Sequence, residues 1–329
     1  MNKTVSMIGA GSFGTAMSTL LAQNNYNVNL WCYDRKAYDS IKHKRENEKY
    51  LPGIQLNTKI EPFLNLQEAL ANSQYIFQAV PVKYLRSVFD EVEKYISNDQ
   101  IIVTLSKGIE EGTLFLPSQI ISHILGNKIK IAVMSGPNFA HEIARNFYSV
   151  TTIASQDENV LKELKQILSN EFFKPIISKD IIGTQIGGAI KNIIALAIGL
   201  IQNSTSKSNQ NAKAFILTQA LNEMAQISEC FGGKKETVYQ NSGLGDLILT
   251  TTGQLSRNLK AGELLSKGKT LKDLDLEFDT LPEGLNTVIS IFNLIQKCKL
   301  DLPICLETYQ TIFENQKVQD MVKDIFKAC

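Results

Sequence analysis

The stretch Met7-Ile8-Gly9-Ala10-Gly11-Ser12-Phe13-Gly14 holds three glycines at G-x-G-x-x-G spacing. Its surroundings constrain the fold more than the glycines do. Thr4 to Ile8 is short, apolar and β-branched, as a buried strand is, and the residues from Thr15 onward are rich in helix formers. A glycine run between strand and helix is the context in which this spacing holds a pyrophosphate. Gly9 permits the tight turn, Gly11 the close approach of phosphate to backbone, and Gly14 the packing of helix on strand. The free N–H groups and the dipole at the helix start then favour an anion. A second strand, Val28 to Tyr33, ends at Asp34, 20 residues after Gly14. A carboxylate there accepts hydrogen bonds from the ribose hydroxyls of an adenosine. The pattern predicts a dinucleotide site. Without a ligand, the same glycines would only turn the chain between strand and helix.

The rest of the first half alternates. Strand-like runs at Tyr75–Val80, Ile101–Leu105 and Lys130–Met134 are separated by helical stretches around Leu66–Ala71, Leu85–Tyr95 and Pro117–Leu125. This predicts a doubly wound parallel sheet. The runs end in Pro81, in Ser106-Lys107-Gly108 and in Ser135-Gly136-Pro137, and ligands of open α/β sheets bind at such carboxyl ends. Ser149–Ala154 and Phe173–Ser178 are expected to complete the sheet. From about Asp180 the texture becomes helical. The expectation is an α/β dinucleotide-binding domain over 1–180 and an all-α catalytic domain over 181–329. The length agrees, since 329 residues exceed the ~250–300 at which single cores stop growing. Gln202 to Asn211 is polar and reads as a surface loop joining two helices.

Charge and composition narrow the class. A net charge of +1 gives no sign of a nucleic-acid or membrane-surface partner. The cysteines, Cys32, Cys230, Cys298, Cys305 and Cys329, are odd in number and form no C-x-x-C pair. They read as reduced thiols and not as a disulfide frame or zinc site. His43, His123 and His141 lack metal-ligand spacing, so no metal is expected. The apolar run Ile186–Ile201 contains Lys191 and Asn192 and is short for a membrane span, so no membrane insertion is expected. The chain enters a strand at once, and no secretory leader is expected. A cytoplasmic enzyme fits these bounds.

Two segments carry candidate chemistry. The stretch Gly183 to Asn203 reads as a helix apolar nearly all round, hence buried, with Lys191 and Asn192 at its middle. Burial lowers a lysine pKa and suits it to proton transfer near neutrality. The residues alone leave open a lysine that snorkels outward or closes a structural ion pair. The small residues Gly187-Gly188-Ala189 point to close approach by something. In the second segment, Asn241 to Asn258, Asp246 follows a Gly-x-Gly and is placed to orient Lys191. Ser256, Arg257 and Asn258 offer donors, with Arg257 a fork that matches phosphate.

Taken together, these motifs resemble bacterial NAD(P)-dependent sn-glycerol-3-phosphate dehydrogenase, nearly end to end. The resemblance rests on GAGSFGTA, NEKYLPG (47–53), AVP (79–81), SKGIE (106–110), SGPNFAHEIA (135–144), GGAIKNIIA (187–195), GLGDLILT (243–250), SRN (256–258) and PEGLNT (282–287). It implies a Rossmann sheet followed by an all-α domain. The implied reaction interconverts dihydroxyacetone phosphate and sn-glycerol 3-phosphate with NAD or NADP, supplying glycerol 3-phosphate for phospholipid synthesis. By motif, Lys191 is the proton donor or acceptor, helped by Lys107 and Asp246. Gly136, Asn138, Ser256, Arg257 and Asn258 join these three in holding substrate. Gly9, Gly11, Ser12, Phe13, Gly14, Tyr33, Asp34, Tyr50, Lys107, Ala140, Arg257, Leu281 and Glu283 are expected to touch the cofactor. Asp34 favours a free 2′-hydroxyl and hence NAD, whereas Arg35 beside it is a candidate for a 2′-phosphate. The chain departs from the family at the polar stretch before Phe215 and at Gln219, where arginine is frequent. A homodimer is left open. Two rival readings share these features: a two-domain reductase of a 3-hydroxy acid, and a dinucleotide sensor without turnover.

Overall fold

A computed structural model describes residues 3–202, 210–253, 255–278 and 280–328. The chain forms two compact units: Met1–Ser106 with Pro117–Ile181, and Lys107–Leu116 with Ile182–Cys329.

The first unit is built on eight strands: β1 (Thr4–Ile8), β2 (Asn27–Trp31), β3 (Ile60–Phe63), β4 (Tyr75–Gln78), β5 (Ile101–Thr104), β6 (Lys130–Ser135), β7 (Ser149–Ala154) and β8 (Phe173–Ser178). Its helices are α1 (Ser12–Gln23), α2 (Arg35–Lys44), α3 (Leu66–Leu70), α4 (Val82–Val92), α5 (Pro117–Leu125), α6 (Ala140–Ala144) and α7 (Glu158–Leu168). The sheet order is β3-β2-β1-β4-β5-β6-β7-β8. The chain therefore winds outward from β1 to β3, then returns to start the other half at β4, on the opposite side of β1. That reversal between β1 and β4 is the position where doubly wound sheets bind ligands. β4 and β5 are buried along their whole length, as strands covered by helices on both faces must be.

Two features depart from the sequence reading. β3, with the sequence IEPF, has no counterpart in that reading: it is four residues long, holds a proline, and its buried and half-buried residues alternate over too few positions to register. The ladders are parallel except for β6 with β7, which run antiparallel. The connection from 136 to 148 carries only the five-residue α6, not a full crossover helix, so the chain turns back on itself.

The second unit is helical: α8 (Ile181–Gln202), α9 (Gln210–Cys230), α10 (Lys235–Val238), α11 (Asp246–Thr252), α12 (Arg257–Ser266), α13 (Leu271–Glu277), α14 (Glu283–Cys298), α15 (Pro303–Phe313) and α16 (Val318–Ala328). Of the polar stretch between α8 and α9, residues 203–209 lie outside the described residues. Gln219 sits on α9. α8 is buried from Gly183 to Ile201. It is long and apolar enough to cross a membrane, yet 89% of that stretch is covered by the protein itself. The segment 107–116 joins this unit through Ile109 and Leu116, which pack in the core around α8, and through a bond of 3.1 Å donated by Ser290 Oγ to the Ile109 carbonyl.

Glycines set how closely these helices meet. A Cβ on Gly199 would lie 2.3 Å from the Leu259 carbonyl oxygen, and one on Gly262 would lie 2.3 Å from that of Leu196. α8 and α12 thus cross backbone to backbone, which only glycine permits. Glu223 on α9 fixes the start of α15 in the same unit. Its buried carboxylate accepts the backbone N–H groups of Ile304 at 2.6 Å and Cys305 at 3.1 Å.

Candidate active site

The sheet unit gathers one group of the expected residues. Gly9 ends β1 with φ +106°, a conformation that favours glycine. A Cβ on Gly14 would sit 2.0 Å from the Gly9 carbonyl oxygen, so α1 can press onto the turn only without a side chain there. Gly11 differs: a Cβ built on it meets no atom within 4 Å. The turn is therefore closed on its protein side and open at Gly11, the fit a pyrophosphate requires at the free N–H groups of α1. Ser12 and Phe13 open the helix. Ser12 Oγ donates to the Tyr50 carbonyl at 2.6 Å. Asn47, buried, donates through Nδ2 to the Ala10 carbonyl at 2.9 Å and to Thr15 Oγ1 at 2.8 Å. This asparagine shapes the glycine turn; the 47–53 motif contained it, but nothing in its spacing marked its role.

Asp34 caps α2, accepting the Lys36 N–H at 2.8 Å on Oδ1. Its Oδ2 accepts from Lys49 Nζ at 2.9 Å and Tyr50 Oη at 3.1 Å. Lys49 foremost holds the carboxyl of Asp34 below its ordinary range. Tyr33 beside it, two residues past the carboxyl end of β2, is 88% exposed. Arg35 instead turns along its own helix, with Nε 3.3 Å from Asp39 Oδ1. At the end of β6, Gly136 is tightly packed: a Cβ would lie 3.1 Å from Thr151 Cα, so the neighbouring backbone would have to give slightly. Asn138 is buried and donates to the carbonyls of Pro137 and Val150, both at 3.0 Å, while its Oδ1 accepts from no described residue. Ala140 begins α6.

The helical unit gathers the other group. Gly187 and Lys191 are four residues apart on one face of α8. A Cβ on Gly187 would lie 2.3 Å from the Ser242 carbonyl oxygen, so the close approach implied by the small residues is that of the single π-turn Asn241–Gly245. The turn delivers Asp246 as the first residue of α11, and Thr250 follows on the same face. Lys191 Nζ contacts Asp246 Oδ1 at 2.5 Å and donates to Thr250 Oγ1 at 2.8 Å. Lys107 Nζ contacts the other oxygen, Asp246 Oδ2, at 2.5 Å. One fully buried carboxylate thus lies between two ammonium groups. Thr250 was not singled out from sequence; its distance of four residues from Asp246 on a helix was the available signal.

Burial pulls the Lys191 pKa down to about 8, with Asp246 opposing the shift and Lys107 adding to it. Burial likewise raises the Glu283 carboxyl, first residue of α14, to about 7, against the pull of Lys107, Arg257 and Lys191. Leu281 precedes it, half-buried.

The three residues at the start of α12 have different duties. Ser256 caps the helix, its Oγ accepting the Leu259 N–H at 3.2 Å. Asn258 is buried: its Nδ2 donates to Asn192 Oδ1 at 2.9 Å and its Oδ1 accepts the Gly284 N–H at 3.0 Å. Arg257 is exposed, with its guanidinium against the Thr280 carbonyl and its Cζ 5.6 Å from the centre of the Phe278 ring. Among the described residues, no group of three or more histidine, cysteine, aspartate or glutamate side chains gathers as a metal site would require.

Comparison with known proteins matches both halves. The N-terminal model of the NAD-dependent glycerol-3-phosphate dehydrogenase family covers residues 4–161, and the C-terminal model covers 180–323. A curated protein of Myxococcus xanthus, named glycerol-3-phosphate dehydrogenase of the NAD(P)+ type, is 37% identical over 97% of this chain and 96% of its own length. One of the same name from Syntrophotalea carbinolica is 34% identical over 98% of this chain and 97% of its own. The crystal structure of glycerol-3-phosphate dehydrogenase from Coxiella burnetii is 30% identical, covers 98% of both chains and superposes with a TM-score of 0.93.

Proposed function

The chain belongs to the NAD-dependent glycerol-3-phosphate dehydrogenase family, and on that premise we propose how its residues divide the work of interconverting dihydroxyacetone phosphate and sn-glycerol 3-phosphate. The chain is an NAD(P)-dependent oxidoreductase, and the hydroxy-acid and sensor readings fall away with family membership. When bound, the dinucleotide supplies or accepts the hydride at C2. The sheet unit, residues 1–106 with 117–181, would form its binding domain rather than the unbroken stretch 1–180, with the turn at Gly11 holding the pyrophosphate and Asp34 and Tyr33 the adenosine.

The observation that carries the reading is the triad of buried Lys191 and Asp246 with the half-buried Lys107. As hydride reaches C2 of the ketone, negative charge develops on the C2 oxygen. The Lys191 ammonium stabilises that charge and donates the proton. In the reverse direction the neutral amine takes the proton from the C2 hydroxyl. A lysine at about 8 is populated in both forms near neutrality, so one residue serves both directions. Asp246 keeps the two amines together, and Thr250 fixes the Lys191 rotamer. Arg257 receives the phosphate at the start of α12, where the helix dipole assists. Asn138 offers a substrate hydroxyl the unpartnered Oδ1. Gly136, Ser256 and Asn258 are assigned to substrate binding by the family motifs. By the same motifs, Lys107, Leu281 and Glu283 of the helical unit and Ala140 of the sheet unit would each contact the cofactor.

We place the enzyme in the cytoplasm, providing glycerol 3-phosphate for phospholipid synthesis. Absorbance at the reduced-nicotinamide band, followed with purified protein and dihydroxyacetone phosphate, tests the reading. Consumption of NADH or NADPH is expected; flat traces with both overturn it.

A further inference from the structure

The adenosine end of the cofactor site is charged in a way the sequence does not announce. Asp34 is the carboxylate expected to hold the ribose diol, yet its oxygens are already engaged. Oδ1 takes the Lys36 N–H at 2.8 Å, and Oδ2 takes Lys49 Nζ at 2.9 Å and Tyr50 Oη at 3.1 Å. Lys49 also lies over the Tyr50 ring, 4.8 Å from its centre. The pair is anchored beside the glycine turn, because Tyr50 receives the Ser12 hydroxyl at 2.6 Å and Asn47 holds the Ala10 carbonyl at 2.9 Å. Arg35, the cation suggested by sequence, is turned away onto Asp39 at 3.3 Å. The lysine side chain is 38% exposed, on a flexible four-carbon stem that can rotate off the carboxylate.

We propose that Lys49 is the specificity-determining residue for the adenosine 2′ position: paired with Asp34 it cancels the carboxylate, and turned outward it supplies the cation for a 2′-phosphate. This rests on the NAD(P) reading of the glycine turn. A free 2′-hydroxyl must compete with Lys49 and Tyr50 for Oδ2. A 2′-phosphate instead draws Lys49 to itself and meets a carboxylate still hydrogen-bonded by Tyr50 and Lys36. The site thereby tolerates both cofactors, with Lys49 as the element that admits the phosphate. Removing it does two opposite things. It deprives the phosphate of its cation, and it frees the Asp34 charge to bind the diol and repel a dianion.

The test is calorimetric binding of two adenosine halves, adenosine 2′,5′-bisphosphate and 5′-AMP, to the full-length protein, alongside NADPH and NADH. In Lys49→Met, the bisphosphate is expected to weaken roughly tenfold, the scale of one lost charged hydrogen bond, while 5′-AMP binds as well or better. Asp34→Asn provides the second arm. It leaves Lys49 unopposed, so the bisphosphate is expected to tighten and 5′-AMP to weaken. It also keeps the idea falsifiable should Lys49→Met fail to fold. If the ratio of the two constants stays within about twofold of wild type in whichever variants fold, Lys49 does not set the preference. That outcome, with wild type still binding NADH or NADPH, overturns this inference alone. Wild-type protein that binds neither dinucleotide overturns the cofactor reading as well.

Discussion

Replacing Asp246 with asparagine isolates the electrostatic claim at the centre of the site. The carboxylate touches Lys191 and Lys107 at 2.5 Å each, and the amide keeps its shape without its charge. A unit charge at roughly 4 Å and an effective dielectric of about 20 contributes about 4 kcal/mol, which is about 3 pKa units. Lys191 stands at about 8 with Asp246 opposing its depression. Without that charge it is expected to fall to roughly 5. At pH 7 the protonated fraction then drops from about nine-tenths to about one-hundredth, and reductive kcat/KM falls roughly a hundredfold. The assay is kcat/KM for dihydroxyacetone phosphate between about pH 5 and 9. Wild type is expected to lose reductive activity as pH rises through about 8. The variant's limb is expected near 5, with much of the rate recovered there, a recovery that a disordered site would not show. A variant of normal thermal stability whose limb remains near 8 refutes the argument that Asp246 keeps the lysine charged.

Other expectations follow from single contacts. Gly14→Ala places a methyl 2.0 Å from the Gly9 carbonyl and should lower Tm and abolish dinucleotide binding together; Gly11→Ala meets no protein atom and should keep Tm while weakening the cofactor in equilibrium titration. Arg257→Ala should raise KM for dihydroxyacetone phosphate more than about tenfold, since a charged hydrogen bond contributes roughly 1.5–3 kcal/mol, and unchanged kinetics would discredit the phosphate assignment. Burial raises Glu223 from 4.5 to about 7. Because the folded state holds the proton more tightly, its contribution to stability is present below about pH 4.5 and is lost as pH rises through about 7. Urea midpoints of Glu223→Gln should lack that component, on the order of 3 kcal/mol, across this window.

Much of this molecule could be read in advance because its sequence and packing agree. β1, β4 and β5 are apolar runs, as strands covered on both faces must be, and the turn after β1 needs glycine for reasons of volume and φ that survive in any context. Lys191 stood out because a charge inside an oily helix requires a partner. What was hidden depends on contacts distant in sequence. β3 is held by its register with β2, not by its own composition. Asn47, Lys49 and Thr250 are ordinary polar residues until the fold brings each beside its partner. The crowding at Gly187 was visible, but the Ser242 backbone that causes it lies 55 residues away.

The segment 107–116 has a practical consequence. It leaves β5, contributes Ile109 and Leu116 to the interior around α8, and the chain then returns to the sheet at α5. A gene fragment starting at residue 182 would therefore encode helices missing a piece of their own interior and one of the two amines on Asp246. Anyone transplanting this helical module onto another nucleotide-binding partner must carry two pieces of chain, not one. The acceptor must also offer an opening after its corresponding strand where the shorter piece can be spliced.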